Sequence, residues 1–178
     1  QYARRYHVRL MPQFESLGHA AAVLRHEELA SLREAGGGVF CTMEEGTWEF
    51  LGTVFSELVE AFPDSPFIHI GGDEFEHGFG RCDRCREVVS REGVGGLYAR
   101  HMNRLNELVK ARGRTVTFWP SHSGPTPELS EMSIQYAPAL QKDCIPTEWI
   151  YHGPALYPTI QIYQDLGFAD VQCCPAVV

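Results

Sequence analysis

The chain has 178 residues, of which 44% are hydrophobic and 21% are charged, a composition typical of a folded protein with a hydrophobic core. Its formal net charge of -8 leaves no basic surface for a nucleic-acid backbone or an anionic membrane, so we expect neither as a partner. The sequence has no run of 18 or more apolar residues, so we also expect no membrane span.

Five apolar stretches have β character and predict strands. They are Tyr6–Met11, Phe67–Ile70, Thr115–Trp119, Ser133–Tyr136 and Asp170–Cys174. Helical patterns lie between several of them, and each pattern ends at a helix-stop residue. The predicted helices run from Trp48 to Phe62 before Pro63, from Tyr98 to Val109 before Gly113, and from Pro158 to Leu166 before Gly167.

Strands that alternate with helices indicate parallel βαβ units, so the predicted class is α/β. Residues 1–178 contain no repeat and no low-complexity linker, and we interpret them as one domain or a part of one. Five strands are compatible with an open doubly wound sheet or with part of a (β/α)8 barrel. A complete barrel needs roughly 250 residues, so a barrel of this length would be incomplete.

The stretch "FIHIGGDEFEH" runs a buried strand into two glycines and two adjacent acids. Neighbouring side chains point to opposite faces of a strand, so Asp73 and Glu74 can converge only where the strand has ended. Gly71 and Gly72 provide that ending. The pair then lies at the carboxyl edge of a parallel sheet, where α/β proteins bind ligands.

An alternative interpretation makes Asp73 a cap of the next segment and Glu74 a solvated surface residue. The double glycine, His69 within the strand and His77 after it favour a functional site instead. Two carboxyl groups in one pocket do not ionise together easily, so one is held as a proton donor and the other stays charged. Glycoside cleavage uses one protonated and one charged carboxyl group in this way.

The six cysteines follow no spacing typical of secreted disulfide scaffolds. Cys82 and Cys85 form a CxxC pair, which is half of a zinc-ribbon ligand set, but no second CxxC or HxxxH follows them. We therefore interpret the pair as a local loop feature and expect no metal site.

The hexapeptide His69–Glu74 resembles the signature of the family 20 glycoside hydrolases, the β-N-acetylhexosaminidases. In that family an Asp-Glu pair ends the fourth strand of a (β/α)8 barrel. The segment Met11–Ala21 is similar to the family's third-strand segment, and the match continues in order as far as "CCP" near the end of the chain. The resemblance implies a (β/α)8 TIM barrel, here an incomplete segment that covers about strands 3 to 7.

The resemblance also implies removal of terminal β-linked N-acetylhexosamine by a retaining, substrate-assisted mechanism. Glu74 would be the general acid and then the base, and Asp73 would orient the substrate's own 2-acetamido group. The mechanism implies no metal and no cofactor. The candidate substrate-binding residues are Trp119 and Tyr136 as aromatic walls, His19 and Glu15 at the mouth of the earlier strand, and His69 as an orienting residue inside the strand.

The sequence departs from the family pattern at several points. Gln13 and Glu15 stand where the family commonly has Glu and Asp, and Tyr136 replaces the more usual tryptophan. The first two strands, the eighth, and the residues beyond the seventh are not recognisable. We expect the natural protein to be longer and an N-terminal targeting region to be absent from this segment, so the sequence does not indicate a compartment. We also expect the isolated 178 residues to be poorly active.

Two alternatives remain open at this point. The acids could belong to a noncatalytic carbohydrate-binding barrel that retains the site without turnover. Less favoured is a metal-dependent hydrolase in which His69, Asp73, Glu74 and His77 bind a divalent ion. Inhibition by chelators would favour the metal site, and sugar binding without hydrolysis would favour the binding barrel.

Overall fold

The computed structural model describes residues 2–35, 37–75, 77–120, 136–149 and 158–174. Within these residues, mutually parallel strands alternate with α-helices. The α/β class predicted from the sequence is therefore confirmed.

The described residues contain two long α-helices and two short ones. They are α1 (Ala21–Leu24), α2 (Glu45–Ala61), α3 (Asp83–Lys110) and α4 (Pro158–Asp165). Short 3-10 helices cover Ala3–Tyr6, Glu27–Leu32 and Ala137–Ala139. In this part of the chain no helix is both long and apolar enough to cross a membrane.

Helix α2 buries the apolar stripe that its sequence predicts, since Trp48, Leu51 and Phe55 are each at most 5% exposed. Helix α3 begins well before the predicted start at Tyr98 and is interrupted at Gly93, where φ is 72° and ψ is 174°. Its first half has few buried apolar residues, and for this reason periodicity alone did not indicate it.

The strands are β1 (Phe67–His69), β2 (Thr115–Phe118), β3 (Ile145–Glu148) and β4 (Gln172–Cys173). All are parallel, and they lie side by side in the order in which they occur in the chain. A doubly wound sheet changes direction at a switch point, whereas a (β/α)8 barrel keeps the chain order. The sheet therefore has the strand order of a barrel segment.

A further segment, residues 12–16, lies parallel beside β1. The amide of His69 donates to the carbonyl oxygen of Pro12 at 2.9 Å, and the carbonyl oxygen of His69 accepts from the amide of Phe14 at 3.0 Å. The amide of Ser16 donates to the carbonyl oxygen of Ile70 at 3.2 Å. This pairing brings the residues that follow Ser16 to the carboxyl end of β1.

Two of the strand predictions need correction. Residues 6–11 are not a strand: Tyr6 ends a 3-10 helix, the amide of Val8 donates back to the carbonyl oxygen of Ala3 at 3.0 Å, and Val8 and Leu10 are more than half exposed. Strand β3 was not predicted, because its four residues include Pro146, which weakens a strand pattern. Residues 133–135 of the strand predicted at Ser133–Tyr136 lie outside the described residues.

His101 links α3 to two loops in the core and is fully buried. Its Nε2 donates to the carbonyl oxygen of Ser16 at 3.0 Å, so the ring must be protonated there, and its Nδ1 accepts from the hydroxyl group of Thr42 at 3.0 Å. The ring also packs against Trp48. Burial lowers the pKa of His101 to about 3, because a charged imidazole would lose its hydration.

We predict that His101 makes the protein less stable in mild acid. The unfolded chain takes up a proton on this residue below about pH 6.5, whereas the folded protein does so only near its lowered pKa. In that window the free energy of unfolding falls as the pH falls, by up to about 1.4 kcal/mol per pH unit. Urea denaturation at several pH values between about 5 and 7 measures this change in the free energy of unfolding.

The variant His101→Gln keeps a donor for Ser16 but does not titrate, so its free energy of unfolding should depend less on pH than that of the wild type. His26→Gln, at an exposed histidine, is the control and should keep the wild-type dependence. Equal pH dependence in all three proteins would contradict the prediction.

Candidate active site

Two glycines with left-handed backbone conformations follow shortly after the end of β1. The φ angles are 69° at Gly71 and 111° at Gly72, a region that residues with a side chain rarely adopt. A Cβ atom added to Gly71 would lie 2.1 Å from Oε2 of Glu15. The chain therefore leaves the strand here, and Asp73 and Glu74 follow at the carboxyl edge of the sheet.

The two acidic side chains converge on one histidine. Nε2 of His19 lies 3.4 Å from Oδ2 of Asp73 and 3.2 Å from Oε2 of Glu74. The side chain of Asp73 is 15% exposed and that of Glu74 is 50% exposed. The site therefore has one carboxylate set into the protein and one open to solvent.

The backbone is strained where these residues meet. His19 and Glu74 have φ angles of 51° and 47°, which are unusual for residues other than glycine. Strain of this kind persists only where the surrounding structure enforces it, and it is frequent at functional sites. Beside them, the backbone at Gly18 approaches Asp73 so closely that an added Cβ would lie 2.3 Å from its carbonyl oxygen.

Glu15 lies on the segment that pairs with β1, behind Gly71. Its Oε1 accepts a hydrogen bond from the side-chain amide of Gln13, and its Oε2 is buried with no hydrogen-bond partner among the described residues. Burial raises the pKa of Glu15, and the nearby charge of Asp73 adds to this, while the Gln13 hydrogen bond opposes it. The buried oxygen is a possible acceptor for a ligand hydroxyl group.

His69 is buried in β1 and held in one tautomer. Its Nδ1 accepts from the amide of Gly71 at 3.1 Å, so Nε2 carries the proton. Burial lowers the pKa of His69 to about 4, so the ring is neutral near pH 7. Its ring lies 4.2 Å from that of Trp119, centroid to centroid. His69 thus orients the strand end and supports an aromatic side chain.

Trp119 directly follows β2, and its amide donates to the carbonyl oxygen of Gly71 at 2.9 Å. It is half-buried. The structure therefore brings Trp119, His69, Glu15, His19 and the two acids to one edge of the sheet.

Tyr136 occupies a different position from the one predicted. It precedes the 3-10 helix Ala137–Ala139 that leads to β3, and its ring lies 5.7 Å from that of Tyr98. The ring also packs against the backbone of α3, since a Cβ added at Gly95 would lie 2.3 Å from Cδ1 of Tyr136. A role of Tyr136 in binding remains a prediction.

Trp149 is a candidate that the sequence reasoning missed. It directly follows β3 and is half-buried, and its indole Nε1 donates to the carbonyl oxygen of Pro120 at 2.7 Å. Trp149 therefore lies beside the end of the β2 segment that carries Trp119. Recognition of β3 in the sequence would have revealed it, because the residue after a barrel strand faces the site.

The alternative metal site does not assemble. Among the described residues, donor atoms of three or more His, Cys, Asp or Glu side chains approach within 4.8 Å of one another only at a separate cluster, Glu34, Cys41, Cys82 and Cys85. In the alternative set, Nδ1 of His69 is occupied by the amide of Gly71, and His77 is exposed.

A parallel sheet in chain order, with two carboxylates at its carboxyl edge, has the arrangement of a (β/α)8-barrel segment with a candidate ligand site at that face. Residues 1–149 match the glycosyl hydrolase family 20 catalytic domain. The chain belongs to this family, as the motif at His69–Glu74 predicts.

Several relatives are similar over most of the chain. Human hexosaminidase D is 28% identical over 179 aligned positions, which cover 94% of this chain and 35% of the relative. Bovine hexosaminidase D is 26% identical over an alignment that covers 90% of this chain and 48% of the relative. The β-hexosaminidase of Vibrio furnissii is 22% identical over 87% of this chain and 26% of the relative. The chain thus spans less than half the length of these relatives.

Solved structures of the family have the same fold. A β-N-acetylhexosaminidase from Bacteroides fragilis superposes with a TM-score of 0.62 and 25% identity, over 83% of this chain and 28% of the other. An exo β-N-acetylglucosaminidase from Vibrio harveyi was solved in complex with N-acetylglucosamine. It superposes with a TM-score of 0.74 and 19% identity, over 98% of this chain and 27% of the other. The chain is therefore part of a TIM barrel.

We predict that Gly18→Ala destabilises the protein, because the new Cβ meets a backbone oxygen that cannot move without displacing Asp73. The expected loss in the free energy of unfolding is about 1–3 kcal/mol, typical of overpacking, and urea denaturation measures it. Gly38→Ala is the matched control, since its Cβ would make only an ordinary 3.6 Å contact with Ala21. Equal stability of the two variants would argue against close docking at Asp73.

Proposed function

We propose that residues 1–178 form part of the catalytic domain of a glycoside hydrolase that removes terminal β-linked N-acetylhexosamine. The reaction is retaining and substrate-assisted, through an oxazolinium intermediate. The proposal rests first on one observation: Asp73 and Glu74 converge on His19 at the end of β1, one carboxylate enclosed and the other exposed. Membership of family 20 and the N-acetylglucosamine bound to the Vibrio harveyi relative support the substrate class.

The unequal exposure of the acids fits two separate roles. Glu74, half exposed, can reach the glycosidic oxygen and donate its proton as the bond from this oxygen to the anomeric carbon breaks. Asp73, largely enclosed, accepts a hydrogen bond from the N–H of the 2-acetamido group. The acetamido carbonyl oxygen then attacks the anomeric carbon, and the ring that closes carries a positive charge next to the Asp73 carboxylate.

In the second step Glu74, now a carboxylate, takes a proton from water as the water oxygen attacks the anomeric carbon. The bond to the acetamido oxygen breaks, the neutral acetamido group is restored, and Glu74 regains its proton. Two inversions at one carbon give net retention. This chemistry requires no nucleophile from the protein.

The surrounding residues serve to position the sugar. The buried Oε2 of Glu15 is suited to accept a hydrogen bond from a sugar hydroxyl group. His19 lies between the two acids and can hold their relative orientation. Trp119 and Trp149 supply apolar surface that can enclose the acetamido methyl group and exclude water.

We predict that the full-length protein releases p-nitrophenol from p-nitrophenyl N-acetyl-β-glucosaminide. Asp73→Asn should lower kcat by about 10²–10³-fold, since it removes charge stabilisation of the intermediate. Glu74→Gln should lower it by about 10²–10⁴-fold, the usual contribution of a general acid–base. For Glu74→Gln the loss should be larger with an alkyl leaving group, which needs the proton more than p-nitrophenol does.

Two controls test the mechanism. The matching p-nitrophenyl β-glucoside lacks the acetamido group and should not be cleaved, and brief EDTA treatment should leave activity unchanged. Cleavage of both substrates at similar rates would contradict substrate assistance. A folded protein that binds N-acetylglucosamine but releases no p-nitrophenol would instead be a noncatalytic binding barrel.

We predict that Trp149→Ala lowers kcat/KM on the order of 10²-fold, because loss of the indole lets the substrate shift and admits water. Trp149→Phe should retain most of the activity, since it keeps an apolar ring. Trp48→Phe is the control, because Trp48 lies in the core against His101. If Trp149→Ala kept wild-type kinetics, Trp149 would not be a wall of the site.

A further inference from the structure

A cluster of three thiols and one carboxylate lies apart from the acid pair. Its members are Glu34, Cys41, Cys82 and Cys85, whose donor atoms all lie within 4.8 Å of one another. Cys41 and Cys85 are fully buried, Glu34 is 3% exposed, and Cys82 is half-buried. Glu34 and Cys41 lie in the loop after the 3-10 helix Glu27–Leu32, and Cys82 and Cys85 lie at the start of α3.

The sulfur separations match those of a tetrahedral metal site. Sγ of Cys41 lies 3.5 Å from Sγ of Cys82 and 3.6 Å from Sγ of Cys85. Tetrahedral zinc holds each thiolate at about 2.3 Å, which sets two sulfur ligands about 3.8 Å apart. A disulfide would need about 2.0 Å, and all three cysteines are free thiols.

The carboxylate of Glu34 is held in place by backbone donors. Its Oε1 accepts from the amide of Gly80 at 3.2 Å, and its Oε2 accepts from the amide of Cys82 at 2.8 Å. Oε2 also accepts from the amide of Ala35 at 3.4 Å. A carboxylate oxygen can accept two bonds, so Oε1 keeps a lone pair for a cation. Hydrogen bonds of this kind orient metal ligands.

A bound cation would also balance the charge of its ligands. Once the thiols have lost their protons to the metal, three thiolates and a carboxylate carry four negative charges in a buried volume. One divalent ion would offset half of that charge.

We propose that Glu34, Cys41, Cys82 and Cys85 bind one Zn²⁺ ion in a structural site. Thiolate ligands select zinc among the common divalent ions, and four protein ligands leave no open position for catalysis. Binding releases the thiol protons to solvent. The ion joins the start of α3 to the loop around Cys41.

The site has a structural consequence for the acid pair. The chain between Glu74 and Cys82 includes Phe75 and Phe79, which pack against each other in the core. The zinc site would anchor the far end of this loop, and the end of β1 anchors the near end. Loss of zinc should therefore loosen the loop that follows Glu74 without removing any group that touches the substrate.

The test is the metal content of the full-length protein, purified under reducing conditions without chelators and measured by plasma mass spectrometry. We expect one Zn²⁺ per chain, and loss of bound zinc together with a lower Tm in Cys41→Ser and Cys85→Ser. Glu34→Gln should bind zinc more weakly. Cys144→Ser, at a buried thiol outside the cluster, and Cys174→Ser, at an exposed one, should both retain one zinc.

Cobalt substitution in the wild type keeps the test informative if the serine variants fail to fold. Metal-free protein titrated with Co²⁺ should develop the intense visible absorption of tetrahedral thiolate-bound cobalt, and Zn²⁺ should abolish it. The proposal is overturned if the reduced wild type takes up neither ion, if the serine variants retain one zinc, or if native Cys41 is disulfide-bonded to Cys82 or Cys85.

Metal content and hydrolysis are measured separately, so this proposal and the proposed function can fail independently. A protein that binds one zinc but hydrolyses nothing supports the metal site alone. An active protein that contains no zinc supports the proposed function and contradicts the metal site. Slow chelation that lowers Tm before it lowers activity would support a structural rather than a catalytic ion.

Discussion

The parallel pairing of residues 12–16 with β1 is the contact on which the site depends. It aligns two strand ends at one edge of the sheet, and it carries Gly18 and His19 over the turn that follows β1. The close approach at Gly18 leaves the backbone of Asp73 no room to move in that direction. Because backbone hydrogen bonds join residues 12–16 to β1, His19 and the two acids are held close together without a ligand.

Two buried histidines hold this arrangement together from inside. Nδ1 of His69 accepts a hydrogen bond from the amide of Gly71. His101, on α3, is hydrogen-bonded to Ser16 and to Thr42. Both rings are neutral because burial lowers their pKa values. The site is thus supported by two buried imidazole rings that are neutral near pH 7.

Local patterns allowed much of the fold to be predicted. The strand before the acids, the glycine break and the buried stripe of α2 were predicted correctly, because each depends on a few neighbouring residues. The prediction of a strand at residues 6–11 was wrong, and strand β3 was not predicted. In both cases the outcome depended on which distant segment offered a hydrogen-bonding partner, and a short stretch that contains Pro146 carries little intrinsic strand preference.

For the site, the sequence by itself determined the motif His69–Glu74 and the family, because two glycines and two acids act through local backbone geometry. Only the tertiary structure decided that His19 meets both acids and that Trp149 follows a strand. It also decided that Cys82 and Cys85, an isolated pair in the sequence, lie beside Cys41 and Glu34 more than 40 positions upstream. Such contacts arise from packing between distant segments, and residue spacing along the chain does not encode them.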